Sequence, residues 1–158
     1  MITVEKKSVN AGKYVDTTHV DTVIRNYKQE RWVQNSQRLG KEDSLSVWFT
    51  VEEVEGFLNK IKSCGGDGIK FYFGAYSKEF PQRPEYAGRQ TIVMVGTKAK
   101  ETSNGIVDKD IYVDNGGVNS ILAYNVGRVC PPLCKPGMDD GELGITIVDK
   151  GEDGIVLI

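Results

Sequence analysis

The chain has little of the residue types that most catalytic and metal sites need. Of its 158 residues only one is His, His19, and three are Cys. Sites that require two histidines, such as zincin-type metal centres, are therefore excluded. The chain also has no Gly-x-Ser-x-Gly elbow for a serine nucleophile and no Gly-x4-Gly-Lys-[Ser/Thr] loop for a nucleotide phosphate. The absence of these motifs favours a protein without enzymatic activity, and we expect no cofactor.

A large charge of one sign and a long apolar run are also missing. The 20 Lys and Arg residues stand against 22 Asp and Glu residues, which leaves a formal net charge of −2. We expect neither nucleic acid nor membrane as a partner, because both call for a basic surface. The N-terminus, Met1 to Lys7, has none of the apolar core of about 7 to 15 residues that a secretory signal needs. These features predict a cytoplasmic protein.

The length and the glycine distribution indicate how the chain is organised. A chain of 158 residues has the size of one domain, so we predict a single domain over 1–158. Only three of the 18 glycines, Gly12, Gly40 and Gly56, lie in the first 64 residues. Because glycine disfavours helices and marks turns, helices are expected early and short strands late. This is an α+β arrangement.

Two helices are predicted near the N-terminus. The first covers about 17–38, where apolar residues recur at helical spacing, and Thr17 or Thr18 is expected to cap it. The second begins at Thr50-Val-Glu-Glu53, which fits a capping box, and Gly65-Gly66 supplies its left-handed stop. We expect both helices to pack on a mainly antiparallel sheet of about five to seven strands.

Alternating or continuous apolar patterns mark the candidate strands. They cover 44–49, 69–73, 91–95, 111–113, 121–126, 144–148 and 154–158. The last two form a predicted hairpin with a turn of about five residues. Its exposed edge is a possible route to a homo-oligomer.

The order of several motifs adds a resemblance. A helix with Asn26-Tyr27 and Arg31 precedes Trp48-Phe49-Thr-Val-Glu-Glu. Three further motifs follow: Gly68-Ile-Lys-Phe-Tyr-Phe-Gly74, Thr91-Ile-Val-Met-Val-Gly96 and Cys130-Pro-Pro-Leu-Cys134. In this order, over roughly residues 17 to 136, the chain resembles a family of small uncharacterised bacterial proteins. The resemblance implies a bacterial origin and a common fold. It implies no activity.

The segment 76–89 is the longest irregular stretch between strands, and Pro81 and Pro84 stiffen it. Its aromatic and basic side chains, with Tyr72 of the preceding strand, are the candidate binding residues: Tyr72, Tyr76, Phe80, Arg83, Tyr86 and Arg89. Such a composition is typical of a recognition loop. We therefore predict a cytosolic binding or interaction protein whose ligand is a protein or a small molecule. In the alternative, Phe80 and Tyr86 fold back as a small cluster over the sheet.

Cys130-Pro131-Pro132-Leu133-Cys134 is the most unusual local feature and suggests a second function class. The two thiols, with Cys64 and His19, have the residue types of a Cys3His metal site. A disulfide or redox pair is a further possibility. The simplest interpretation is that the thiols pack as small apolar groups. The alternative function is therefore a thiol- or metal-dependent one at 130–134.

Overall fold

The computed structural model describes residues 8–134, 147–149 and 155–157. Two compact units are present. Residues 8–12, 49–73 and 92–125 form the first unit, and 13–48, 74–91 and 126–134 form the second, together with the short strands at 147–149 and 155–157. Helices and antiparallel strands both occur, so the predicted α+β class is confirmed. The single domain over 1–158 stays a prediction.

The helical part begins with one long helix in three segments. These are α1 (Thr17–Tyr27), a π-helical turn (Lys28–Trp32) and α2 (Val33–Leu39). The cap is Asp16, whose carboxylate accepts a hydrogen bond from the backbone N–H of His19 at 2.8 Å. The prediction that Thr17 or Thr18 caps the helix is therefore wrong. Both threonines already have helical positions, and Asp is as strong a cap as Ser or Thr.

The strands of the described residues are short, with two exceptions. They are β1 (Ser46–Trp48), β2 (Gly68–Ala75), β3 (Gln90–Thr102), β4 (Gly105–Asp110), β5 (Tyr112–Asn115), β6 (Val118–Ile121), β7 (Ala123–Tyr124), β8 (Arg128–Cys130), β9 (Ile147–Asp149) and β10 (Ile155–Leu157). The largest sheet has four strands, in the order β2-β3-β4 with β7 also paired to β3. The other strands form the antiparallel pairs β1–β8, β5–β6 and β9–β10. The strands thus divide among several small sheets instead of one sheet of five to seven.

The first unit places helix α3 (Val51–Ser63) against the four-stranded sheet. Its buried core consists of Phe57 and Ile61 from α3, Met94 from β3, and Leu122. A Cβ at Gly96 of β3 would lie 2.8 Å from Cγ1 of Ile61, so only glycine permits this close approach of helix and strand. The packing of α3 on β3 in this core therefore depends on Gly96.

Both predicted ends of α3 are confirmed. The Thr50 hydroxyl accepts from the Glu53 N–H at 2.9 Å, and the Glu53 carboxylate accepts from the Thr50 N–H at 2.8 Å. Gly65 follows the helix with a φ of +78°, in the left-handed region that favours glycine. The Tyr124 hydroxyl also donates to Glu53, at 2.9 Å. These hydrogen bonds lower the pKa of Glu53, the one from the Thr50 backbone most strongly.

The second unit has a smaller core. Tyr76, Tyr86 and Val129 are its buried members. Strands β1 and β8 pair in the register Ser46 with Cys130, Val47 with Val129 and Trp48 with Arg128. The Arg128 guanidinium lies 4.1 Å from the centre of the half-exposed Trp48 ring. Trp48 and Arg128 therefore lie on the exposed face of the β1–β8 sheet, and Val129 lies on its buried face.

Strands β9 and β10 confirm the antiparallel pairing of the C-terminal hairpin. The register joins Ile155 to Asp149, Val156 to Val148 and Leu157 to Ile147. The predicted turn at about 149–153 lies largely outside the described residues. A homo-oligomer through this hairpin stays a prediction. No helix in the described part of the chain is long and apolar enough to span a membrane.

Candidate functional site

The segment 76–89 is a closed loop with its own hydrogen bonds. At its base, the Tyr76 N–H donates to the Arg89 carbonyl at 3.0 Å, and the Gly88 N–H donates to the Ser77 carbonyl at 3.0 Å. A short 3-10 turn, Pro84–Tyr86, orders the second half of the loop. Pro84 is suited to this first position because its fixed φ matches the turn and it has no N–H to satisfy. The loop is therefore a built structure.

The loop's aromatic side chains fold back on one another, as in the alternative derived from the sequence. Tyr76 stacks on Phe80 with ring centres 4.6 Å apart and lies 5.6 Å from Tyr86. Tyr86 is only 1% exposed and Tyr76 is buried as well. Val129, at the centre of β8, completes the cluster. Three of the six candidate binding side chains thus form a core, with Phe80 half-buried.

The two arginines of the loop have different environments. Arg89 is buried, and its guanidinium donates to the backbone carbonyls of Glu85, at 2.9 Å, and Glu42. Arg83 is exposed, lies 5.5 Å from the Tyr86 ring and pairs with Glu85 at 3.5 Å. Arg89 therefore braces the loop, and Arg83 is the basic candidate side chain that faces solvent. The binding role of these side chains stays a prediction.

The Cys-Pro-Pro-Leu-Cys segment is closed by a disulfide between Cys130 and Cys134. Cys130 is buried at the end of β8, and its carbonyl accepts from the Leu45 N–H at 2.7 Å. Leu133, inside the disulfide ring, packs against the cluster of Tyr76, Tyr86 and Val129. The bond thus holds the segment after β8 against the same small core.

The metal interpretation lacks its ligands in this arrangement. A disulfide has no thiolate to offer, and zinc binds cysteine as thiolate. Among the described residues no group of three or more His, Cys, Asp or Glu side chains is placed to hold a metal ion. Cys64 is a free thiol in the first unit, half-buried at the end of α3, and His19 is exposed near the start of α1.

Tyr72, the remaining candidate, lies on β2 in the first unit and is held by a polar triad. Its hydroxyl donates to one Asp110 carboxylate oxygen at 2.7 Å, and the Lys70 ammonium donates to the other at 2.8 Å. Lys70 also lies 5.6 Å from the centre of the Tyr72 ring. Lys70 first, and then Tyr72, hold the pKa of Asp110 below its usual 3.8. Tyr72 is therefore ordered although it is 43% exposed.

The aromatic neighbours of Tyr72 are the residues that the sequence interpretation missed. Phe71 is 55% exposed and Phe73 is 82% exposed. Alternation along the strand gives them the same face as Ile69, and Ile69 packs against the core. Strand β2 is an edge strand of its sheet, since β3 is its one neighbour in the described part of the chain. The signal in the sequence is a run of three aromatics that covers both faces of one strand, because a strand with one solvated face usually alternates apolar and polar side chains.

A buried carboxylate organises the rest of the second unit. Asp43 accepts hydrogen bonds from the backbone N–H groups of Gln90, at 2.7 Å, and Ser44, at 2.9 Å, and from Asn35. The Trp32 indole donates to its carbonyl at 2.7 Å. Burial, and then the nearby Asp43 charge, raise the pKa of Tyr27 above 10.0. Since three hydrogen bonds satisfy the Asp43 carboxylate, we interpret it as a structural anchor.

Comparisons with protein family models, curated proteins and solved structures find no match to this chain. The resemblance to a bacterial family therefore stays a prediction.

Proposed function

We propose that the protein is a binding protein whose contact surface is the outer strand β2, and that its ligand is an extended segment of another polypeptide. The observation that carries this is the exposure of Phe71, Tyr72 and Phe73 in β2, an outer strand in that β3 is its one neighbour among the described residues. The proposal keeps the function predicted from the sequence. It moves the aromatic anchors from the loop 76–89 to the strand before it.

The chemistry of an outer strand favours an extended polypeptide. Such a strand has a row of backbone N–H and C=O groups that a partner strand can pair with. Aromatic side chains on both faces then supply the contacts that fix register and specificity. In β2, Phe71 and Phe73 lie on one face and Tyr72 on the other. A partner strand beside β2 would meet all three.

The fixed position of Tyr72 adds to the argument. A side chain that is already ordered loses little conformational entropy on binding. The hydrogen bond to Asp110 at 2.7 Å supplies this order. Aromatic side chains of this kind are common among residues that dominate binding energy. The loop 76–89 has no aromatic side chain as exposed as these, because Tyr76 and Tyr86 are buried and Phe80 is half-buried.

A selection experiment with two matched variants tests the proposal. Peptides are selected from a random displayed library on the wild-type protein, and their dissociation constants are measured for wild type, Phe71→Ser/Phe73→Ser and Ile106→Ser/Val107→Ser. The control changes two half-exposed apolar side chains of β4, at the other end of the same sheet. We expect the β2 variant to weaken binding by about tenfold or more and the β4 variant to bind as the wild type does.

Backbone methylation of the selected peptides separates strand pairing from a purely apolar contact. N-methyl groups on alternate residues remove the peptide donors that would pair with β2, so we expect them to abolish binding. Two results would overturn the proposal: no peptide selected above background, or peptides whose binding tolerates both methylation and the β2 substitutions.

The cytoplasmic location is not part of this proposal. Disulfides persist mainly in oxidising compartments, and Cys130–Cys134 is such a bond.

The alternative function at 130–134 was thiol-dependent or metal-dependent. The disulfide favours the thiol-dependent form, because a disulfide has no thiolate with which to bind a metal. The contacts of Cys130 and Leu133 with the second core support a structural cross-link.

A further inference from the structure

A cleft of about 380 Å³ opens in the first unit, on elements other than β2. It is formed by the end of α3 with β3, β4 and the start of β5, and its walls are Cys64, 98–100 and 109–112. Its volume is within the range of small-molecule sites, which begins at about 300 Å³. The proposed polypeptide site does not use it.

The strand register brings the lysines of the cleft together. Strands β3 and β4 pair from Thr102 with Gly105 to Thr97 with Asp110, so that Lys98 is directly opposite Lys109. Side chains directly opposite in an antiparallel pair lie on the same face, about 5 Å apart at Cβ. Lys100 is two residues from Lys98 along the same strand and therefore shares this face.

These charges lack a carboxylate partner among the described residues. Lys98, Lys100 and Lys109 are exposed, and no ion pair forms between them and the acidic side chains of residues 8–134. Asp110, which also lines the cleft, has its carboxylate bound to Lys70 and Tyr72. Like charges directly opposite each other destabilise a strand pair. A bound anion would remove that repulsion, and the protein as a whole, with a net charge of −2, has no general excess of positive charge.

Apart from the lysines and Asp110, the wall of the cleft is apolar. Ile111 packs against the core of the first unit, and Tyr112 is 60% exposed beside it. An aromatic ring of this kind offers a flat surface for an organic group. Lysine ammonium groups are common phosphate ligands.

From these features we propose that the cleft binds a small phosphorylated molecule. Its phosphate lies between Lys98 and Lys109, with Lys100 adding charge, and its apolar part lies on Tyr112. This ligand class combines a multiply charged anion with an apolar group, which matches the two walls.

The test uses phenyl phosphate, inorganic phosphate and phenol in calorimetric titrations at one ionic strength. The variants are Lys98→Gln/Lys109→Gln, Tyr112→Ala and the control Lys13→Gln/Lys78→Gln, which removes the same charge at exposed sites of the second unit. We expect saturable binding of phenyl phosphate by the wild type and the control. We expect about tenfold or greater weakening in the first variant, since two ammonium contacts are lost.

The other arms define what would overturn the proposal. Tyr112→Ala should weaken phenyl phosphate but leave inorganic phosphate unchanged, and phenol should not bind. The Lys98→Gln/Lys109→Gln variant should unfold at the same temperature as the wild type or a higher one, because a repulsive pair is gone. A lower unfolding temperature of this variant, together with no phosphate binding by the wild type, would refute the proposal. Lys98 would then only stabilise the carboxyl end of α3, near Gly65, by its positive charge. Equal weakening in the control would also refute the site.

Discussion

The loop 76–89 and the strand β2 carry three aromatic residues each, yet they use them in opposite ways. In the loop, Tyr76 and Tyr86 are buried and Phe80 is half-buried. In β2, all three aromatic side chains are more than 40% exposed. Adjacent segments of one chain, similar in composition, thus form a core in one case and a surface in the other.

The backbone explains the difference. An outer strand such as β2 is held by backbone hydrogen bonds to its neighbour along one edge, and it can expose side chains without losing its shape. The loop has separate turn hydrogen bonds instead of a continuous ladder, and its aromatic side chains stabilise it further by packing together. The Tyr76 and Tyr86 rings do so 5.6 Å apart. Aromatic content alone therefore does not identify a contact surface.

The largest effect is expected from removing the centre of the loop cluster. Tyr86→Ala deletes a side chain that is 1% exposed and removes the acceptor of the Val129 N–H. By analogy with other large buried aromatics, the free energy of unfolding should fall by about 3 to 5 kcal/mol. Phe73→Ala deletes a side chain that is 82% exposed and should change it by less than about 0.5 kcal/mol. Urea unfolding measures both.

Equal losses in these two variants would break the comparison. A loss of several kcal/mol in Phe73→Ala would mean that the β2 aromatics are part of a core. It would also remove the basis of the proposed peptide surface. A small loss in Tyr86→Ala would return the loop aromatics to the status of candidate contacts.

The sequence could predict local features whose cause is local. The capping box at Thr50, the glycine stop at Gly65 and the antiparallel C-terminal hairpin are set by nearby residues and are confirmed. The long N-terminal helix was also found, although its cap is Asp16. Each of these depends on residues only a few positions apart.

Features that depend on residues far apart in the sequence could not be predicted from the sequence. The exposure of Phe73 depends on which strands lie beside β2, and alternation within the strand does not contain that information. Likewise, Tyr86 is buried because Val129 and Leu133, far along the chain, cover it. The Lys98–Lys109 register was within reach, since the short Ser103-Asn104 turn between β3 and β4 determines which residues pair.

An intermediate effect is expected from the disulfide, which sharpens the same comparison. Cys130→Ser/Cys134→Ser opens a ring of five residues, and a closed ring of that size stabilises by about 2 kcal/mol in the chain-entropy model. Because Leu133 lies in the ring and packs against Tyr86, the loop cluster should loosen while β2 stays unchanged. Urea unfolding gives the free-energy change, and amide exchange locates it.

Cys64→Ser is the control for this experiment, since Cys64 is a free cysteine of the first unit. It should leave the exchange of the loop amides as it is in the wild type. Thiol titration of the denatured, unreduced protein should detect one free thiol. Three would show that the bond is absent, and the loop would then depend on apolar packing alone.

The smallest effect concerns the ordered side of β2 and depends on pH. The folded pKa of Asp110 is below its unfolded value of 3.8, chiefly because of Lys70 and then Tyr72. Its contribution to stability is therefore present above that value and is lost as the pH falls through the folded pKa. The pKa of Lys70 is raised from 10.5, mainly by its hydrogen bond to Asp110, so its own contribution is lost only at alkaline pH above that value.

Carbon NMR titration should show the pKa of Asp110 rising in Lys70→Gln, and rising less in Tyr72→Phe. High salt should reduce the first change, because the pair is partly exposed. An Asp110 pKa that is the same in all three proteins would mean that Tyr72 is not held. The exposed aromatics of β2 would then differ from those of the loop in order as well as in burial.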